Sequence, residues 1–168
     1  MSPRNIFLIS SRNTEAQRSH FAIFVPAAEH PDRGTLIQAV GAPMTGYVLE
    51  LKRNYAPKDD STEKYRMIEI GHVDSTKIID SSSGVKESDG IPRGEIEFAA
   101  SEIPTPGIGD NYLAPVNDIT NKRCQEWTME FVRHLVGKHL IEPEAIQIVQ
   151  SQRDPSSHGI GLQPTLRR

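Results

Sequence analysis

The chain carries at residues 121–137 the sequence NKRCQEWTMEFVRHLVG, which has the clearest helical period in the protein. Apolar side chains recur at spacings of three, four and four residues, at Cys124, Trp127, Phe131 and Leu135. Such spacing places side chains on one face of an α-helix. The segment therefore predicts a helix that packs on a hydrophobic core and carries the chain's single cysteine in its first turn.

A thiol in the first turn of a helix has particular chemical potential. Backbone N–H groups and the helix dipole stabilise a negative charge there, so Cys124 is the residue best placed to act as a nucleophile. Free cysteine is also among the most frequently buried residue types. The alternative is therefore that Cys124 only fills the core beside its aromatic neighbours.

The part of the chain ahead of this helix has the character of β-strands. Short apolar or alternating runs, bounded by turn residues, occur at 5–10, 19–25, 35–40, 46–55 and 65–73. The turn-rich residues 30–34 predict a hairpin between the second and third of these runs. We expect an α+β fold in which a small antiparallel sheet packs against the Cys124 helix.

Length and composition favour one domain over residues 1–168, because 168 residues with 36% hydrophobic content can bury one core. Residues 75–116 lose periodicity and collect Gly, Pro and Ser, so they are predicted to form a long irregular insertion that acts as a lid or binding loop. A second, short helix is predicted to open at residues 142–144. A polar tail follows from about residue 154.

Charge and hydropathy exclude several classes of partner. The formal net charge is -3 and no basic run is interleaved with aromatic residues, so nucleic acid is not an expected partner. Apolar runs are far shorter than the roughly 20 residues of a membrane-spanning helix, and no secretion signal is evident. One cysteine allows no intramolecular disulfide. A cytoplasmic protein is predicted, and the sequence does not indicate its oligomeric state.

A cysteine nucleophile needs a base within reach, and the base needs a group that orients it. His20 is the best candidate base because it begins a predicted strand, and Gln38, on the next strand, would accept a hydrogen bond from its ring. The alternatives are a structural histidine at a strand edge and a solvent-facing amide. His158, in the tail, is a rival base.

Other polar clusters have weaker claims to chemistry. His134 and His139 are five residues apart, about 140° around a helix, so they do not form a metal site, and neither metal nor cofactor is expected. Residues 52–54, Lys-Arg-Asn, are predicted to be the solvated end of a strand. The alternative for this basic stretch is contact with a substrate carboxylate.

The order of these elements resembles the circularly permuted NlpC-type papain-like superfamily, which includes the lecithin retinol acyltransferase-like proteins and the PPPDE isopeptidases. In that group a histidine leads a strand, a polar residue follows on the next strand, and a cysteine heads a later helix. The resemblance covers His20 to about Gly137 and implies a catalytic set of Cys124, His20 and Gln38. The acyltransferase-like members carry histidine at the position of Gln38, which weighs against acyl transfer on lipid.

The expected function is therefore that of a cysteine-dependent hydrolase or acyl- or amide-transfer enzyme acting on a small-molecule or peptide substrate. His20 would accept the thiol proton of Cys124, and the backbone N–H of Cys124 would bind the oxyanion. Gln125 and Trp127, in the same helical turn, are candidates for contacting the oxyanion or substrate. The alternative is a non-catalytic domain of the same fold that binds a small molecule or a partner protein.

Overall fold

The fold consists of one antiparallel sheet with strands of unequal length, and three helices pack on one of its faces. The computed structural model describes residues 3–109 and 113–159. The strands are β1 Pro3–Arg12, β2 His20–Pro26, β3 Gly34–Ala42, β4 Gly46–Tyr55, β5 Lys64–Asp74 and β6 Glu87–Asp89. They are ordered β5-β1-β2-β3-β4-β6, and every neighbouring pair is antiparallel. The predicted α+β class and antiparallel sheet are thus confirmed.

The helices follow and interrupt the strands. They are α1 Pro57–Asp60, α2 Gly94–Ser101, α3 Cys124–Gly137 and α4 Glu144–Gln152, and a 3₁₀ turn spans Ser75–Lys77. Both helices predicted from the sequence are present, as α3 and α4. None of the helices within the two described ranges is long and apolar enough to cross a bilayer. The predicted polar tail is described only as far as residue 159, and its remainder lies outside the described residues.

The main core lies between the sheet and the helices. Alternate β2 residues Phe21, Ile23 and Val25 face this core, where they join the apolar stripe of α3. Trp127 and Phe131 are fully buried there with their ring centroids 5.4 Å apart. The period of two in the strands and 3.6 in the helix therefore produces the two matching faces.

The opposite face of the sheet carries a smaller apolar cluster. Ile9, Ala22, Phe24 and Leu36 form it, one from β1, two from β2 and one from β3. Because side chains alternate along a strand, Ala22 lies on the same face as His20, two residues earlier. This second face of the sheet therefore carries His20 beside the smaller apolar cluster.

The hairpin between β3 and β4 depends on its glycines. Gly46 has a φ of 83°, in the left-handed region that glycine adopts without strain. A side chain at Gly41 would place its Cβ 2.1 Å from the carbonyl oxygen of Gly46, so only glycine fits there. The resulting register sets Gln38 directly opposite Glu50.

The prediction that residues 75–116 form one irregular insertion is wrong in part. The segment contains the 3₁₀ turn, β6 and α2, and α2 buries Ile96, Ala99 and Ala100 in the main core. The run of apolar residues in α2 is too short for a helical period to be recognised in the sequence between the flanking Gly and Pro residues. Helix α2 also depends on a charge that sequence reasoning assigned to the surface.

That charge belongs to Arg53, which the sequence analysis placed at a solvated strand end. Arg53 is only 1% exposed, and its guanidinium donates to both carboxylate oxygens of Glu97 in α2, at 2.7 and 2.6 Å. It also donates to Asp89 in β6 at 3.1 Å. The expectation of a solvated Arg53 is therefore wrong, because burial is tolerated once a cation is paired with carboxylates.

We expect Trp127→Ala to lower the free energy of unfolding by about 3–5 kcal/mol, because the indole fills the centre of the core. Chemical denaturation followed by circular dichroism measures this loss. Ile119→Ala is the control, since Ile119 is 83% exposed and its truncation should change stability by less than about 0.5 kcal/mol. A loss below about 1 kcal/mol in Trp127→Ala would contradict the assignment of the indole to the core.

Candidate functional site

The candidate site lies where two elements begin. Cys124 is the first residue of α3 and His20 is the first residue of β2, and both line one cleft. Helix α3 begins at Cys124 because Arg123 is extended and its backbone N–H donates to the carboxylate of Glu126, at 2.9 Å. A carboxylate that accepts a hydrogen bond from the backbone N–H of the residue before a helix is a common capping interaction at the helix N-terminus.

Side chains of the first α3 turn fix the residue before His20. The Gln125 amide donates to the Ser19 carbonyl at 2.9 Å, and the Ser19 backbone N–H donates to Asp154 at 2.8 Å. Gln125 also donates to Asp154, at 2.9 Å. Both polar groups of the Ser19 backbone are thus held, so the start of β2 is tied to the start of α3.

Buried charge completes this junction. The Arg18 guanidinium donates to Gln125 and to Glu126, each at 3.0 Å, and Arg153 donates to the same Glu126 carboxylate at 2.9 Å. Glu126 is fully buried, so it depends on these two cations to compensate for lost hydration. The network joins the β1–β2 connection, the α3 N-terminus and the segment after α4.

Cys124 and His20 alter each other's pKa. Burial alone raises the pKa of the Cys124 thiol, but the His20 charge, a hydrogen bond from His20 and the Phe21 backbone N–H outweigh it, and the thiol pKa is lowered. Burial likewise lowers the pKa of His20, but the Cys124 charge and hydrogen bonds to Cys124 and Gln38 raise it to about 9. The two shifts, downward for the thiol and upward for the imidazole, both favour the thiolate–imidazolium form of the pair.

The structure brings Gln38 into hydrogen-bond contact with His20. The His20 Nε2 atom lies 2.7 Å from the Oε1 atom of Gln38, on the neighbouring strand β3. Gln38 is 4% exposed, so this is not the solvent-facing amide of the alternative interpretation. Because Nε2 is hydrogen-bonded to Gln38, Nδ1 is the ring nitrogen available for a hydrogen bond with the thiol of Cys124.

Gln125 and Trp127 do not line the cleft. Both side chains are fully buried; the Gln125 amide is used on Ser19 and Asp154, and the Trp127 indole N–H donates to the Ile103 carbonyl at 3.1 Å. The expectation that these side chains contact substrate or oxyanion is therefore wrong. Their positions one and three residues after Cys124 turn them into the protein interior.

The rival base does not join the site. The His158 Nε2 atom lies 3.5 Å from the guanidinium of Arg12, and His158 does not line the cleft. Among the described residues, no group of three or more His, Cys, Asp or Glu side chains is arranged to hold a metal ion. His20 is thus the histidine that the fold brings to Cys124.

The cleft has a volume of about 460 Å³ and runs from Cys124 over the second face of the sheet. Its floor includes Ile9, Ala22 and Leu36, from the smaller apolar cluster. Polar and charged residues also line it, among them Tyr47, Glu50, Lys52, Asp60 and Glu63. The site thus combines a thiol of lowered pKa, an apolar floor and polar walls.

Sequence reasoning missed several residues of this cleft, among them Tyr47, Glu50 and Glu63. The Glu63 carboxylate raises the pKa of His20 through its charge, after the larger effects of burial, Cys124 and Gln38. Burial raises the pKa of Tyr47, with the Cys124 charge adding to it, so its phenol keeps its proton. Only Glu50 had a usable signal, its place opposite Gln38 in a hairpin.

The fold and site define an α+β protein with a cysteine–histidine pair at the end of an antiparallel sheet. The chain belongs to the DUF6540 family, described as a family of unknown function, whose model matches residues 6–142. That range includes His20, Gln38, Glu50 and Cys124. Comparison with curated proteins and with solved structures gave no significant match.

We expect Cys124→Ser to lower the pKa of His20 well below 9, because the thiolate charge is removed and burial, which disfavours imidazolium, remains. Titration of the ring signals by ¹H–¹⁵N NMR measures the change. Since the folded pKa of His20 lies above the ordinary 6.5, the contribution of His20 to stability is present in full below pH 6.5 and is lost as pH rises through about 9. The contribution of Cys124, whose pKa is lowered, is lost in the opposite direction, as pH falls. An unchanged His20 pKa in Cys124→Ser would contradict the pairing.

Proposed function

We propose that the protein is a cysteine-dependent hydrolase or acyl-transfer enzyme whose catalytic set is Cys124, His20 and Gln38. The observation that carries this proposal is the placement of Cys124 and His20 on one cleft, with the His20 ring held by Gln38 at 2.7 Å and the Cys124 pKa lowered by His20. Cys124 is partly exposed and lines the cleft, where an acyl substrate would meet its sulfur. A lowered thiol pKa in an accessible position is characteristic of reactive rather than structural cysteines.

The reaction proceeds through an acyl-enzyme. The Cys124 thiolate attacks the carbonyl carbon of an amide, ester or thioester, and the carbonyl electron pair moves to oxygen. As the tetrahedral intermediate collapses, imidazolium His20 gives its proton to the leaving group, and the acyl group stays on sulfur. Neutral His20 then removes a proton from water or another acceptor, which attacks the thioester and regenerates the thiolate.

Two groups can stabilise the oxyanion. The Cys124 backbone N–H is at the first position of α3, where it has no carbonyl partner within the helix. The Tyr47 phenol lines the same cleft, and because its pKa is raised it remains a hydrogen-bond donor. We propose that Tyr47 replaces the role that the sequence analysis gave to Gln125.

The order of the site residues supports a permuted papain-like arrangement. The histidine leads β2, the orienting amide follows on β3, and the cysteine heads the later helix α3. In this proposal Gln38 has the role that an amide side chain has in papain-like enzymes, which is to hold the histidine ring without changing its charge. The apolar floor of the cleft accepts the acyl part of the substrate.

We expect the wild-type protein to hydrolyse 4-nitrophenyl acetate through an acetyl group on Cys124. Intact-protein mass spectrometry detects the acetyl-enzyme, and release of 4-nitrophenol gives the rate. Cys124→Ser should remove both signals, and His20→Gln should slow acylation by about 10²-fold or more, the lower end of what a general base contributes.

His30→Ala is the matched control for loss of a histidine, because His30 is exposed and lies outside the cleft. It should react like the wild type. Acetylation of wild-type Cys124 no faster than that of N-acetylcysteine at the same pH would contradict the proposed function. The protein would then be the non-catalytic binding domain.

A further inference from the structure

Beyond the three proposed catalytic residues, the hydrogen-bond chain of the site continues to a carboxylate. The Gln38 Nε2 atom donates to the Oε1 atom of Glu50 at 2.6 Å, and Glu50 lies directly opposite Gln38 in the β3–β4 hairpin. The second Glu50 oxygen accepts from the Ser88 hydroxyl at 2.8 Å. Glu50 is thus held from both sides, by β3 and by β6.

A carboxylate opposite an amide decides which way the amide points. An ionised carboxylate only accepts hydrogen bonds, so Gln38 must turn its NH₂ group to Glu50 and its carbonyl oxygen to His20. A reversed Gln38 would set its oxygen against the Glu50 oxygen and its NH₂ group against the ring. Both contacts are repulsive when His20 is an imidazolium.

The orientation of Gln38 in turn decides the tautomer of His20. A carbonyl oxygen at Nε2 requires that this nitrogen keep its proton, so neutral His20 has its lone pair on Nδ1, toward the thiol. With a reversed amide, neutral His20 would accept at Nε2 and keep its proton on Nδ1. That tautomer cannot take a proton from Cys124 or from water at the cysteine side.

We infer that Glu50 is a positioning residue for the proposed reaction, which fixes the Gln38 amide so that His20 presents Nδ1 as its basic nitrogen to Cys124. This inference rests on the proposed function. From His20 outward each donor meets an acceptor: the His20 Nε2 donates to the Gln38 Oε1, and the Gln38 Nε2 donates to the Glu50 Oε1. Ser88 of β6 holds the outer end of this chain.

The test compares variants of Gln38 and Glu50 by the acylation rate with 4-nitrophenyl acetate and by the His20 ring signals in ¹⁵N NMR at a pH well above 9, where the ring is neutral. Glu50→Ala should lower the acylation rate constant by about tenfold or more, the usual loss when a partner that orients a site residue is removed. It should also shift the His20 signals away from the Nε2–H tautomer.

An exchange variant separates positioning from a merely structural role. Gln38→Glu combined with Glu50→Gln keeps an acceptor toward His20 and a donor behind it, so it should recover most of the rate and the Nε2–H tautomer. Gln38→Glu alone sets two carboxylates against each other and should not recover them. Glu87→Gln is the control, because Glu87 is exposed and outside the catalytic cleft.

Each outcome of this comparison is decisive. If wild-type Cys124 acylates rapidly and Glu50→Ala keeps both the rate and the tautomer, the positioning role is wrong while the proposed function stands. If wild-type Cys124 is not acylated, the proposed function fails, and the tautomer in the variants still tests the hydrogen-bond chain. If Glu50→Ala does not fold, Glu50→Leu, which keeps much of the side-chain volume but cannot accept a hydrogen bond, replaces it, and an unchanged tautomer and rate in that variant would overturn the inference.

Discussion

The hydrogen bonds of the Ser19 backbone are the constraint on which the candidate site depends. They connect the last residue before β2 to Gln125 of α3 and to Asp154 after α4. The hydrophobic core alone does not define this junction, because burial of apolar surface is non-directional. Directional bonds to one peptide unit set where α3 begins relative to β2, and therefore how Cys124 meets His20.

The same junction explains why a fully buried carboxylate is tolerated. Glu126 caps the first turn of α3 and is paired with Arg18 and Arg153, from opposite ends of the chain. A lone buried charge would be strongly destabilising, whereas a charge with two cationic partners and a backbone donor is compensated. The position of Cys124 and the stability of the fold thus depend on one polar network, which lies in the protein interior behind Cys124.

The spacing of apolar residues predicted most of the helices and strands, whereas the contacts of individual side chains depend on residues distant in sequence. The stripe of α3, the strand of His20 and the hairpin partner Gln38 follow from local spacing, which is why the Cys124, His20 and Gln38 positions were predictable. Helix α2 and the burial of Arg53 were not, since both depend on Glu97, which is 44 residues from Arg53 in sequence. Gln125 was predicted to lie in the cleft because its neighbour does, although one step along a helix turns a side chain by about 100°.

The central claim is that His20 holds Cys124 as a thiolate, and the pH dependence of Cys124 alkylation by iodoacetamide tests it most directly. The chain has one cysteine, so the modification reports one site. In the wild type, alkylation should persist well below the free-thiol pKa of about 8.5, and His20→Gln should move the profile upward toward or above that value, because burial then acts on the thiol without its counter-ion. Identical profiles for the wild type and His20→Gln would contradict the account.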